Sequence, residues 1–343
     1  MPNQIVTEAI DAVASGQDLS TEQAQSVLRE IMSGDVDEAQ TAAFLIALRT
    51  KGETVDELVG LARAMREMAA HVDVPGDNLL DTAGTGGGAT PTFNVSTTAA
   101  LVAAAAGSRV AKHGNRSATS LCGSADVLEA LGARIDLDPA AVRECIGEIG
   151  FGFMFAPRHH KATRYVVPVR KALGVRTIFN FLGPLTNPAG AGYQLVGVGD
   201  PAYVEMIAHA LVELGARRAA VVAGADGMDE VSIVSETRLL EVTPDGVTSH
   251  TLTPERVGFE RAEPESVRGG TPEQNAAITR AVLEGEQGPR RSLVVMNAGA
   301  ALFVNGRAPG FEEGVRLAEE AIDSGAALDT LERFIRRTRE LTA

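Results

Sequence analysis

Leu79-Leu80-Asp81-Thr82-Ala83-Gly84-Thr85-Gly86-Gly87-Gly88, with Asn94-Val95-Ser96-Thr97 a few residues on, is the stretch that decides the fold. The apolar start reads as a strand over Leu79–Thr82. Four glycines among residues 84–88 read as a loop whose amides can approach a ligand, and the small residues after Asn94 read as a helix. Strand, glycine loop and helix N-terminus together make an anion site, most naturally for phosphate. A Walker loop is excluded, because no Gly-Lys-Ser/Thr follows the glycines. A dinucleotide fingerprint is matched in form by Gly84, Gly86 and Ala89. Pro91, however, interrupts the helix start, and Arg109 and Lys112 stand where a ribose-binding acid belongs.

Downstream, candidate strands Arg109–Lys112, Phe151–Phe155, Gln194–Val198 and Ala219–Ala223 alternate with helical patterns such as Asp126–Leu131 and Val204–Leu214. This is the signature of an α/β fold with a mostly parallel central sheet. Residues 231–252 read as a hairpin turning at Asp245-Gly246, and Glu312 to Arg339 as helix. Upstream there is only helix. Ser20-Thr21-Glu22-Gln23 and Thr54-Val55-Asp56-Glu57 have capping-box spacing, and Leu58, Leu61, Ala62, Met65 and Met68 form one apolar stripe. Pro75-Gly76 breaks the pattern. The expected division is a small helical domain over 1–73, completed by helices near 160–190, and a larger α/β domain over 77–343.

The 343 residues carry 31 Lys plus Arg against 45 Asp plus Glu, a formal charge of −14. That balance argues against non-specific binding to nucleic acid or an anionic membrane. The longest purely apolar run, Ala99 to Ala106, is far short of the roughly 20 residues a span needs, and no signal peptide opens the chain. Two cysteines, Cys122 and Cys145, are too few for a disulfide framework. A soluble, cytoplasmic protein is expected.

Three further constellations carry chemistry. Lys112-His113-Gly114-Asn115-Arg116-Ser117, with Ser120 and Gly123-Ser124, follows a strand end and suits a phosphorylated sugar, Lys112 serving as a point charge on phosphate. Between Glu148 and Asp200 there is no acid, while Arg158, Lys161, Arg164, Arg170, Lys171 and Arg176 are present, with His159 and His160 beside them. Such segregation in an acidic chain makes a local positive field. Arg164 and Arg170 are suited to grip a carboxylate in a fork, or a second pyrophosphate-like anion. Gly227-Met228-Asp229-Glu230 follows a strand, and its adjacent acids suit magnesium, which takes one or two carboxylates plus substrate oxygens.

Taken together, in order and spacing along nearly the whole chain, these motifs resemble the anthranilate phosphoribosyltransferase family. Phe179-Asn180, Leu182-Gly183-Pro184-Leu185 and the stretch from Phe155-Ala156-Pro157 to Arg170 add to the resemblance. It implies a helical domain joined to an α/β domain of the nucleoside phosphorylase and phosphoribosyltransferase class, a homodimer, and a site in the cleft between domains. It also implies a reaction of tryptophan biosynthesis, in which the amine of anthranilate displaces pyrophosphate from 5-phosphoribosyl 1-diphosphate with magnesium, two ions of it. Gly84, Gly87, Gly88, Thr92, Asn94, Val95, Ser96, Thr97 and the loop Lys112, His113, Gly114, Asn115, Arg116, Ser117, Ala118, Thr119, Ser120, with Ser124, fall on the phosphoribosyl-diphosphate positions. Gly84, Asn115 and Arg170 fall on anthranilate positions, with His113, His160 and Gly183 lining that pocket. Ser96, Asp229 and Glu230 fall on the metal positions. The family commonly has Asp where this chain has Gly88, and Pro where it has Lys161.

An aromatic amine is neutral at pH 7, so no residue is expected as a general base. Two other readings share the motifs in part. A pyrimidine nucleoside phosphorylase has this architecture, but its glycine segment begins differently and it lacks the Gly-Met-Asp-Glu run. A non-catalytic relative that binds phosphoribosyl diphosphate is the other.

Overall fold

The computed structural model describes residues 1–117 and 121–342. Four helices come first: α1 (Gln4–Ala14), α2 (Thr21–Ser33), α3 (Glu38–Lys51) and α4 (Val55–Glu67). Both capping boxes form. Ser20 and Gln23 exchange side-chain-to-backbone hydrogen bonds, as do Thr54 and Glu57. Buried Glu57 also accepts from the Leu19 amide and the Lys51 ammonium, so the start of α4 is tied to the segment that leads into α2 and to the end of α3. Phe44, Leu45, Leu48, Leu58 and Leu61 are fully buried between the helices, each contributing about 1.5–3 kcal/mol of transfer free energy.

A seven-stranded sheet follows: β1 (Leu79–Gly84), β2 (Arg109–Gly114), β3 (Phe151–Phe155), β4 (Tyr193–Gly197), β5 (Arg218–Gly224), β6 (Thr237–Thr243) and β7 (Gly246–Leu252), in the order β3-β2-β1-β4-β5-β6-β7. The first five strands are parallel and the last two antiparallel. Two expected details are corrected. Residues 231–236 are loop rather than strand, because Ser232 Oγ accepts from the amides of Val234 and Ser235 and offers the backbone a local alternative to pairing. The turn centres on Pro244-Asp245, while Gly246 (φ +129) already pairs with Thr243.

One sheet face is covered by α5 (Val95–Ala105), α6 (Ser124–Ala130), α7 (Pro139–Ile149) and the later helices Pro272–Leu283, Pro289–Val304, Phe311–Asp323 and Ala326–Glu340. The stretch read as one C-terminal helix is two, parted at Gly325 (φ +77). The other core joins the four-helix unit to β4, β5 and the helix Val204–Glu213. It also takes in the helices Val167–Leu173 and Phe179–Leu185, through Val169, Phe179, Phe181, Leu182 and Leu185. Chain leaving β3 therefore crosses to the helical unit before returning as β4, and it faces β1 and β2 across a cleft.

Candidate active site

β1 delivers its glycines to the cleft from the carboxyl ends of the parallel strands, where open α/β sheets bind ligands. Gly86 (φ +70) and Gly87 (φ +74) adopt left-handed backbone that a side chain would resist. The loop is pinned on both sides. Thr85 N donates to Gly197 O and Ala89 N to Gly227 O, Thr90 Oγ1 donates to Asp226 O, and Thr92 bridges to Arg268. Asn94 precedes α5 without capping it, since its side chain donates to Cys122 O and accepts from Asn275 Nδ2.

Two adjoining cavities of about 350 and 450 Å³ share this loop. The second is lined by Gly84, Gly86 to Gly88, Thr92, Asn94, Val95, Ser96, Ser124, Asp229 and Glu230. Thr97, expected with them, is buried away from both, its place in the first turn of α5 aiming it at the core. Gly88 packs flush against the acidic segment. A Cβ there would stand 2.9 Å from Asp229 Oδ1 and 2.8 Å from Gly227 O.

The Asp229 and Glu230 carboxylates are crowded by protein while keeping a side open to the cavity. Glu230 Oε1 accepts from Ser96 N at 3.2 Å. Burial, then the neighbouring Asp229 charge, pushes Glu230 up to about 8, and burial raises Asp229 as well. The Gly86 amide and the Arg176 charge favour ionised Asp229, and the Lys112 charge and the Ser96 amide favour ionised Glu230, but burial outweighs them in both, so a divalent cation would stabilise the pair. No cluster of three or more His, Cys, Asp or Glu occurs among the described residues. The donor set thus suits an ion that shares its coordination with substrate, as magnesium does.

Lys112, expected as a point charge on phosphate, is buried. Its ammonium is buried below the loop, donating to Thr82 O at 2.5 Å and lying 3.4 Å from Ser96 Oγ. Burial lowers its pKa, and the charges of Asp81 and Glu230 oppose that. Asp81 accepts from His113 N and from Asn187 Nδ2, and that amide also donates to Ala111 O, which fixes the end of β2. Beyond it Gly114, Asn115, Arg116 and Ser117 line the first cavity. The Arg116 guanidinium, however, is held by Asp126 (2.9 Å) and Glu129 (2.5 Å). Ala118, Thr119 and Ser120 lie outside the described residues.

The facing wall is acid-free. Ala156, Arg170, Arg176, Phe179, Asn180, Gly183 and Pro184 look across at the glycines. Arg170 lies with its guanidinium carbon 5.6 Å from the Phe179 ring centre, and burial lowers its pKa. Arg164 stacks on Tyr165 and donates to its hydroxyl, away from the cavity, and exposed Lys161 lines neither cavity. Gly183 O lies 3.2 Å from His113 Nδ1. His160, expected to line the pocket, is instead behind His113, ring centres 5.0 Å apart, with Nε2 3.0 Å from Thr186 O. Burial pulls His160 down to about 4 and His113 well below the ordinary histidine range, so both rings are neutral at pH 7. Sequence reasoning put Arg176 in the basic segment but did not set it against the glycines, a contact that only the crossover from β3 to β4 creates.

A helical bundle packed beside a mostly parallel sheet, with a glycine loop and an acidic pair at the strand ends, is an architecture that two family models together match as a glycosyl transferase. The model for the helical bundle domain of a glycosyl transferase family matches residues 7–69, and that for its a/b domain matches residues 76–328. The chain is 54% identical over 338 residues to the anthranilate phosphoribosyltransferase of Rubrobacter xylanophilus, covering 98% of each. The crystal structure of the Thermus thermophilus anthranilate phosphoribosyltransferase superposes with a TM-score of 0.91 at 48% identity, covering 96% of this chain and 99% of that one. The enzyme from Saccharomyces cerevisiae in complex with PRPP and Mg gives 0.90 at 29% identity, covering 98% of each. The chain belongs to the anthranilate phosphoribosyltransferase family.

Proposed function

We propose that the chain transfers the 5-phosphoribosyl group of 5-phosphoribosyl 1-diphosphate to the amine of anthranilate, releasing pyrophosphate, in tryptophan biosynthesis. The observation that carries this reading is the pairing of unlike walls. The glycine loop is shared by two adjoining cavities, one lined by the Asp229 and Glu230 carboxylates and the other by the acid-free wall bearing Arg170. In the transfer the amine lone pair forms the bond to C1 of the ribose. The C1–oxygen bond breaks, its electron pair leaves with pyrophosphate, and the proton that the nitrogen gives up passes to water.

Asp229, Glu230 and Ser96 would hold magnesium, two ions in this reading, and the metal would neutralise charge on the leaving group. The Gly87 and Gly88 amides, unlike those of Thr85, Val95 and Ser96, are not taken by other partners among the described residues and hold phosphate oxygens, and buried Lys112 adds its positive field. Arg170 takes the anthranilate carboxylate, with Asn115 and Gly183 beside it, and His113 closes the wall as a neutral ring. Positioning two substrates in line then carries most of the remaining work.

This reading includes a homodimer in the cytoplasm, divided into a helical domain over 1–73 with helices near 160–190 and an α/β domain over 77–343. Both cysteines are buried, and no helix among the described residues is long and apolar enough to cross a membrane. Loss of anthranilate fluorescence on adding phosphoribosyl diphosphate and magnesium tests the function. Phosphorolysis of uridine with anthranilate untouched would replace it with the nucleoside phosphorylase reading.

A further inference from the structure

Arg176 follows Gly174, which ends its helix in left-handed backbone (φ +64), and precedes the helix Phe179–Leu185, so its main chain belongs to the arginine wall. Its side chain crosses the cleft. Nη2 donates to Gly86 O at 2.9 Å, and a Cβ on Gly87 would fall on the guanidinium itself. Gly87 thus leaves room for a cation as well as supplying a flexible turn.

The other arginines of the wall are occupied differently. Arg158 faces Asp136 at 3.5 Å, Arg164 lies on Tyr165, and Arg170 lies on Phe179. Arg176 has one carbonyl partner, and its charge also favours ionised Asp229, although no carboxylate lies within ion-pair distance among the described residues. A guanidinium has five N–H donors in a planar fork, so most of this one is uncommitted directly above amides built for an anion.

Resting on the transferase reading, we propose that Arg176 is a further catalytic residue, which leaves Gly86 O to grip the diphosphate when substrate enters. It is then the cation that the far wall brings across to the leaving group, on the glycine loop where its charge already reaches Asp229. As the C1–oxygen bond breaks and its electron pair passes to pyrophosphate, the fork takes up the charge that builds on the diphosphate oxygens. The same contact ties substrate entry to closure of the two walls.

The test uses the full chain and two variants, with inorganic pyrophosphate plus magnesium as the calorimetric probe and steady-state kinetics alongside. Arg176→Gln keeps a donor for Gly86 O and removes the charge, whereas Arg176→Lys keeps the charge and removes the fork. The expected result for Arg176→Gln is a loss of about 100- to 1000-fold in kcat/KM for phosphoribosyl diphosphate. Pyrophosphate should bind about tenfold more weakly or worse, the anthranilate KM should move less than about threefold, and Arg176→Lys should recover part of the loss. Unchanged diphosphate constants and an unchanged pyrophosphate isotherm in Arg176→Gln overturn the proposal and leave a strut for the loop. So does an equal loss for both substrates with a lowered Tm. A wild-type chain that binds pyrophosphate through Arg176 yet consumes no anthranilate supports the role of Arg176 and refutes the transferase reading.

Discussion

The two sides of the cleft are made of different material. The strand side presents main-chain amides, a lysine sunk beneath the surface and two carboxylates, all fixed by β1, β2 and the segment after β5. The wall across from it presents long guanidinium side chains, an amide and a ring, with no acid between Glu148 and Asp200. One side is rigid and attracts a cation, and the other reaches and attracts anions. Substrates that are themselves anionic are held by metal and amides on the first side and by direct charge on the second. The contrast predicts that damage to the strand side, or to Arg176 where it crosses to that side, is felt by the diphosphate, and damage to Arg170 by anthranilate.

The largest effect should come from the acidic pair. Asp229→Asn or Glu230→Gln should lower kcat by about 10- to 1000-fold, by analogy with losing one preorganised charge stabiliser. A magnesium titration of turnover checks it, and unchanged activity and metal dependence in the double variant would remove the metal from this side. Next, Arg170→Ala should raise the anthranilate KM by roughly 10- to 150-fold and spare that for phosphoribosyl diphosphate, since a charge-assisted hydrogen bond is worth about 1.5–3 kcal/mol. A shift in the diphosphate constant instead would blur the division between the walls.

Gly88→Asp should have a smaller effect, one that shrinks as magnesium rises. The new Cβ meets Asp229 Oδ1 and Gly227 O, and its carboxylate adds a third negative charge beside the diphosphate. At about 6 Å and an effective dielectric of 20 the repulsion is about 3 kcal/mol before screening. The diphosphate KM should therefore rise about tenfold or more at low magnesium and fall towards wild type as magnesium rises, the part that remains coming from the Cβ contact with Gly227 O. Equal or tighter binding at every metal concentration would show that an aspartate organises the loop.

The smallest effect is on stability. Folded Glu230 holds its proton up to about pH 8, while in the unfolded chain it loses it near 4.5. The folded state thus binds more protons across that window, and the metal-free protein should lose stability as pH rises from about 5 to 8. Differential scanning calorimetry in a chelator should show Tm falling by a few degrees, with the slope reduced by saturating magnesium. A rising Tm would place the carboxylate in a better-solvated setting.

The glycine loop was legible because four glycines in five residues after an apolar run have few structural explanations, and the capping boxes because their partners are three residues apart. The parallel strands were found to within a residue or two for the same local reason. What was not legible depended on partners distant in sequence. Nothing local indicates that the Arg116 guanidinium is held by Asp126 and Glu129, that Lys112 is buried against Thr82, or that His160 backs His113 instead of lining the cavity. Arg170 and Arg176 look alike in sequence. Only the crossing of the cleft gives one an aromatic shelf and the other a place over Gly87.

That crossing has a consequence for how the protein is made. β1 lies at the centre of the parallel sheet, yet one of its neighbours is β4, with Leu80 paired to Tyr193. The arginine wall is spun out between those two strands, so its residues leave the ribosome before the centre of the sheet can close. Pairings of such long sequence separation form slowly. Until β4 docks, β1 is an open edge, and the Thr85 amide has no Gly197 carbonyl to hold the glycine loop. The anion site should therefore be among the last parts to acquire its native shape. A nascent chain stopped before residue 193 should expose the β1 edge to self-association, while a chain extended past β5 should not.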